Sequence, residues 1–194
     1  MKAFLRPTPP RDESRIGATY SLPVTFNVEA ITAELTLQAR VGFGVPPPPF
    51  CACALVDGRL HMPRFFGLDR FGPAQTDDRV DGDELTNADF RGTLTEVQRD
   101  AFNAVMEPTD GVCGGIVSLP CGYGKTVWAV YTICHLKRKA CVVVHKGVIR
   151  DQWLAAFATF APTLRVGIIQ GKTWQLDEYD VVLCMVMTMA RRAY

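Results

Sequence analysis

Residues Ser118 to Val130, SLPCGYGKTVWAV, bring two glycines, a lysine and a threonine together between Gly122 and Thr126. That combination suits phosphate chemistry. Glycines let backbone N–H groups turn inward around an anion, and a helix starting there adds the positive end of its dipole. The lysine can reach the outer phosphates of a nucleoside triphosphate, and the hydroxyl after it can ligate Mg2+. On this reading Pro120, Cys121, Gly122, Tyr123 and Gly124 form the cradle. Lys125 supplies charge, Thr126 supplies the metal-facing oxygen, and ATP and Mg2+ are the cofactors. The strict pattern G-x-x-x-x-G-K-[ST] is not met, because Leu119 stands in the first glycine's place.

Such a loop needs a strand to deliver it and a helix to leave it. The apolar run 115–119 is predicted as that strand and 125–136 as the helix. Before them, LTEVQRDAFNAVM at 94–106 has helical spacing and is stopped by Pro108. After them come a strand at 140–144, a helix at 148–160, and strands at 164–169 and 180–186. Alternation of this kind predicts an α/β fold with a parallel sheet and flanking helices. Right-handed crossovers then place the C-terminal ends of the strands on one edge, where ligands bind.

Residues 1–88 read as a separate, smaller α+β region, and 89–194 as the nucleotide-binding region. Within the first, 19–41 suits strand, short helix and strand. VPPPPF at 45–50 is a stiff spacer, and 51–60 is a hairpin turning at Asp57-Gly58. Cys51 and Cys53 are expected to point inward from a buried strand, since no second Cys/His pair completes a zinc motif. Asp, Gly and Thr dominate 72–87, as in a solvated linker.

The 194 residues carry 21 Lys+Arg against 20 Asp+Glu and are 48% hydrophobic, as in a globular chain. Residues 1–90 hold 9 basic and 12 acidic side chains, and 91–194 hold 12 and 8, a balance of −3 against +4. The basic second half tolerates a polyanion without demanding one. Seven scattered cysteines, no secretory leader and no run of about 18 apolar residues point to a reduced, intracellular protein with no membrane span.

Read together, several stretches resemble the superfamily 2 helicases and translocases. SLPCGYGKT is similar to their motif I, in which the first glycine is commonly absent. GTLTEVQRDAFNAV stands where the family has its LRPYQ element, with Gln98 matching the glutamine. VVVHKGVIRDQW, 142–153, resembles motif Ia, and GIIQGK and YDVVLCMVMTMARRAY look like the strands that follow. The nearest branch by appearance holds the helicase XPB and helicases of large DNA viruses, and LHMPRFFGLDRFG at 60–72 looks like the stretch ahead of the motor in the viral members. The resemblance is strong over 92–194.

The resemblance implies a RecA-like lobe that binds ATP and Mg2+, with catalytic roles for Lys125 and Thr126. Gln98 would contact the adenine edge or brace the loop. His145, Lys146 and Arg150 would meet the phosphate backbone of DNA, or of RNA, and Arg191 and Arg192 lie near where the family grips a strand. Trp153 is expected to pack in the core. The family's Asp-Glu box is expected beyond the strands seen here, and Asp177-Glu178 is expected to be a surface turn. The chain would thus act as the N-terminal part of a helicase, in a nucleus, cytoplasm or cytoplasmic virus factory. Without that box it is not expected to hydrolyse ATP at a helicase's rate. The other readings are a nucleotide- or DNA-binding module without turnover and an unrelated P-loop ATPase or kinase.

Overall fold

The structure is a computed structural model and describes residues 13–39, 42–106 and 114–191. The chain forms two compact units, Met1–Val80 and Asp81–Tyr194. Residues 81–88 bring Leu85 and Ala88 into the core of the second unit. Among the described residues no helix is long and apolar enough to cross a membrane.

The first unit contains β1 (Arg15–Ile16), β2 (Tyr20–Pro23), α1 (Glu29–Glu34), β3 (Thr36–Leu37), β4 (Phe50–Cys51), β5 (Ala54–Val56), β6 (Arg59–Met62), α2 (Arg64–Phe71) and β7 (Thr76–Asp77). Five strands form a sheet in the order β5-β6-β2-β1-β7. Its inner face, with Ile16, Tyr20, Leu22, Leu60 and Met62, is buried together with Ile31 and Leu35. The β5–β6 hairpin turns at Asp57-Gly58, as the dipeptide predicts. Both residues have positive φ, 48° and 71°, which suits the right-handed twist of two-residue hairpins. The prolines at 46–49 lie exposed in the long connection between β3 and β4.

Cys51 and Cys53 correct the expectation of a buried strand. Cys51 is exposed and Cys53 half-buried, and all four residues of the short β3–β4 ladder are exposed. Period-two alternation places both thiols on one face but does not say whether that face is covered.

The second unit contains α3 (Glu96–Met106), α4 (Lys125–Leu136), β8 (Ala140–Val144), α5 (Gly147–Phe160), β9 (Val166–Gln170), β10 (Thr173–Trp174), β11 (Val181–Met185) and α6 (Val186–Met189). Its sheet runs β10-β9-β11-β8, parallel throughout except for the short β10. Helices α4 and α5 bury Val130, Cys134 and Phe157 against Val181 and Leu183, and Trp153 packs against this core as expected. The α/β parallel sheet with flanking helices is therefore present.

The predicted strand 115–119 is not. These residues form no ladder with any described strand, and Ile116 is 98% exposed. A strand exists through its hydrogen-bonded neighbour, and an apolar run without one has nothing to pair with. Val117 packs the segment against Leu94, Phe102 and Trp128. Pro108 and Arg192 lie outside the described residues.

An ion pair fastens the start of the sheet. Asp180 accepts from the Arg165 backbone N–H at 2.8 Å and from its guanidinium at 2.8 and 3.2 Å. The Arg165 side chain holds this carboxylate below its ordinary range, against the opposing effect of burial. A depressed folded pKa stabilises above the unfolded value of about 3.9 and loses that contribution as pH falls through the folded value. Asp180→Asn should therefore cost about 1 kcal/mol at neutral pH, since Arg165 is largely exposed and the amide still accepts. In urea unfolding, the gap between wild type and variant should shrink below about pH 4. A gap that persists at pH 3 would mean packing, not charge, holds Asp180.

Candidate nucleotide and nucleic-acid site

The glycine loop is built by two helices. α4 starts at Lys125 from Gly124, whose φ is +70°, and Gly122 has φ +84°. Both values lie where a Cβ is strained. No side chain caps α4, so its first amides are left for another acceptor. Lys125 Nζ donates to the carbonyls of Leu119 at 2.8 Å and Pro120 at 2.9 Å. The ammonium thus folds back over the loop, with no carboxylate partner among the described residues. An open helix N-terminus, two left-handed glycines and a cation held by two neutral carbonyls fit a polyphosphate. Thr126 follows on the first turn of α4. Among the described residues no group of three or more His, Cys, Asp or Glu side chains could hold a metal ion by itself, so an Mg2+ here would depend on the phosphates as well.

Gln98 is 5% exposed, and both ends of its amide are used. Its Oε1 accepts from the Thr95 backbone N–H at 3.0 Å, while the Thr95 hydroxyl accepts from the Gln98 N–H at 3.4 Å. This reciprocal pair caps α3. Its Nε2 donates to the carbonyls of Tyr123 at 3.0 Å and Gly124 at 3.2 Å. Of the two roles expected for it, the geometry is that of a brace on the loop. Thr95 was legible as the first residue of a T-x-x-Q box and was not singled out.

The three parallel strands end on one edge. His145 and Lys146 follow β8, and Lys146 immediately precedes the 14-residue α5 without a side-chain capping bond. Lys172 follows β9, and Arg191 follows α6 beyond β11. Arg150 is not a free cation: it pairs with Asp151 at 2.6 Å and donates to Gln170 Oε1. The Gly171 N–H donates to Thr188 Oγ1 at 3.0 Å. These bonds tie the loop after β9 to α5 and to α6, leaving a cationic rim with Asp151 as its paired acid. Lys172 was missed in the sequence, although a basic residue just past a parallel strand is the same signal that marked Lys146.

Asp177 and Glu178 sit in an exposed turn just before β11, at the opposite edge from this rim. Lys139, just past the C-terminal end of α4, donates to the Asp177 carbonyl at 3.4 Å. The 12 residues of α4 put the glycine loop about 18 Å from that end. The acidic pair is a surface turn, as expected.

Residues 91–193 match the family described as Type III restriction enzyme, res subunit (ResIII). A protein of Acanthamoeba polyphaga mimivirus, provisionally named ATP-dependent RNA helicase L396, is 30% identical over 137 residues, covering 70% of this chain and 26% of that protein. The SWI2/SNF2 ATPase core of Sulfolobus solfataricus superposes with a TM-score of 0.43 in its complex with double-stranded DNA, at 20% identity over 57% of this chain and 25% of that one. The same core without DNA gives 0.43, at 18% identity, over 58% and 26%. The chain thus spans about a quarter of the length of the proteins it matches. With its family match covering more than half its length, the chain belongs to the ResIII family within helicase superfamily 2.

Proposed function

We propose that this chain is the ATP-binding and nucleic-acid-binding part of a superfamily 2 helicase or translocase acting on DNA. The observation that carries the reading is the start of α4, which has no side-chain cap and where Lys125 donates to two carbonyls and to no carboxylate among the described residues. The amides of Gly122 to Thr126 surround the phosphates, and Lys125 leaves Leu119 and Pro120 to neutralise them. Thr126 orients its hydroxyl toward Mg2+. Bound ATP with Mg2+ supplies the free energy that a motor spends on its track. Gln98 keeps the loop open by holding Tyr123 and Gly124 from behind.

The rim at the strand ends takes the phosphodiester backbone. His145 and Lys146 approach it from the start of α5, Lys172 and Arg191 from the neighbouring loops, and Arg150 positions those loops through Gln170. Unwinding or translocation is proposed for a protein of the relatives' length. Orienting the attacking water needs a carboxylate, and Asp177-Glu178 lies at the wrong edge for it.

Salt dependence tests the rim. Binding to a single-stranded oligonucleotide should weaken along a shallow log–log slope, and Lys146→Ala should reduce that slope by roughly one unit without altering sequence preference. Parallel titrations with duplex DNA and with RNA choose the polynucleotide, and stronger binding to RNA would overturn the choice of DNA. An unchanged slope in the variant would remove Lys146 from the interface.

A further inference from the structure

The first unit carries a thiol pair that the nucleotide site does not use. Cys51 Sγ and Cys53 Sγ are 3.4 Å apart, and the Cys51 thiol also reaches the Cys53 carbonyl at 3.5 Å. Cys53 Sγ lies 3.8 Å from Thr32 Oγ1 on α1. Cys51 is exposed and Cys53 half-buried. Two residues apart on an extended chain, Cα atoms lie about 6.6 Å from each other, and the bend at Ala52 shortens that distance. A disulfide needs a Cα separation of about 4.4–6.8 Å, so this pair can close with little backbone movement.

A second thiol contact in the protein shows why proximity of sulfurs is not enough. Cys141 and Cys184 are 3.3 Å apart on neighbouring parallel strands. The register pairs Cys141 with Val182 and Cys184 with Val143, so the two cysteines are diagonal. Strands about 4.8 Å apart with an offset of two residues put their Cα atoms about 8 Å apart. That exceeds what a bridge spans without shifting a core strand. Cys184 is also buried, with burial pushing its thiol up to about 12.

We propose that Cys51 and Cys53 form a thiol–disulfide exchange site for low-molecular-weight disulfides of the glutathione type. Exposed Cys51, as thiolate, attacks one sulfur of the disulfide and expels the other as a thiolate, giving a mixed disulfide. Cys53 then loses its proton to solvent and attacks Cys51 Sγ, expelling the second small thiolate. One protein dithiol and one small disulfide become one intramolecular disulfide and two small thiols. The assignment of roles follows exposure, and it agrees with the protonation preferences. The Cys53 backbone and thiol hold Cys51 below its ordinary value, and burial raises Cys53. A metal centre fits less well, since among the described residues no third ligating side chain joins the pair.

The test is peptide mass mapping of the folded full-length chain after exposure to oxidised glutathione and acid quench. The peptide holding Cys51 and Cys53 should lose two hydrogens, while Cys141 and Cys184 remain unbridged to each other. Cys53→Ser should stop at one glutathione on residue 51, and Cys51→Ser should react at least about tenfold more slowly at Cys53. The wild-type map stands without the variants. A 51–53 peptide that stays reduced while Cys121 or Cys141 takes up glutathione would overturn the proposal. So would a bridge that forms only after unfolding in urea.

Discussion

Lys125→Ala abolishes the thermal stabilisation that Mg2+ and a non-hydrolysable ATP analogue give the wild-type chain, and leaves the unliganded melting temperature nearly unchanged. A ligand that binds the folded state alone stabilises it by mass action, about 1.4 kcal/mol at ten times its dissociation constant. For a domain of this size that is a rise of several degrees. Removing Lys125 takes away the one side-chain cation of the loop. Without ligand, the ammonium donates to the exposed carbonyls of Leu119 and Pro120, which water can satisfy equally well. Differential scanning fluorimetry at millimolar nucleotide makes the comparison. An equal shift in the variant would place the nucleotide elsewhere.

Gly124→Ala has the larger structural effect. A Cβ at Gly124 would sit 2.5 Å from Gln98 Nε2, on a backbone with φ +70°. The left-handed conformation alone costs a residue with a Cβ about 1–2 kcal/mol. The clash adds to it by pushing Gln98 off the carbonyls of Tyr123 and Gly124, and Gln98 is buried with both amide ends engaged. The variant should therefore melt several degrees lower and bind nucleotide at least about tenfold more weakly, a loss of roughly 1.4 kcal/mol. Gln98→Ala removes the clash partner. In that background the glycine substitution should cost less in stability than it does alone, and a double-mutant cycle by urea unfolding measures the difference. Strictly additive costs would mean that Gln98 and the loop are not coupled.

What the sequence disclosed, and what it withheld, follows from how local each feature is. α4 and β8 begin and end where they were expected, because Gly124 and the left-handed Lys137 punctuate the helix and an apolar β-branched run follows at once. The Asp57-Gly58 turn was legible for the same reason, since turn chemistry resides in the dipeptide itself. The segment 115–119 reads as a strand by composition and is not one, because pairing is a property of two segments and composition describes one. Cys51 and Cys53 failed similarly: alternation gave their common face, but not how far that face is exposed. Gln98 was found by its place in a motif, whereas its bonds to the Tyr123 and Gly124 carbonyls depend on the fold. Arg150, expected to meet a phosphate backbone, also engages Asp151 and Gln170, contacts that only the fold reveals.

Hydrogen exchange of the loop amides, measured with and without Mg2+ and the ATP analogue, tests the phosphate cradle most directly. Phosphate oxygens accepting from the first turn of α4 should slow exchange across Gly122 to Thr126. Protection should extend into Val127 and Trp128 as the helix start is fixed, and should be lost in Lys125→Ala. Amides of the first unit should be unaffected. Nucleotide that binds with its protection centred anywhere else, or with none at Gly122 to Thr126, would contradict the assignment of this loop as the nucleotide site.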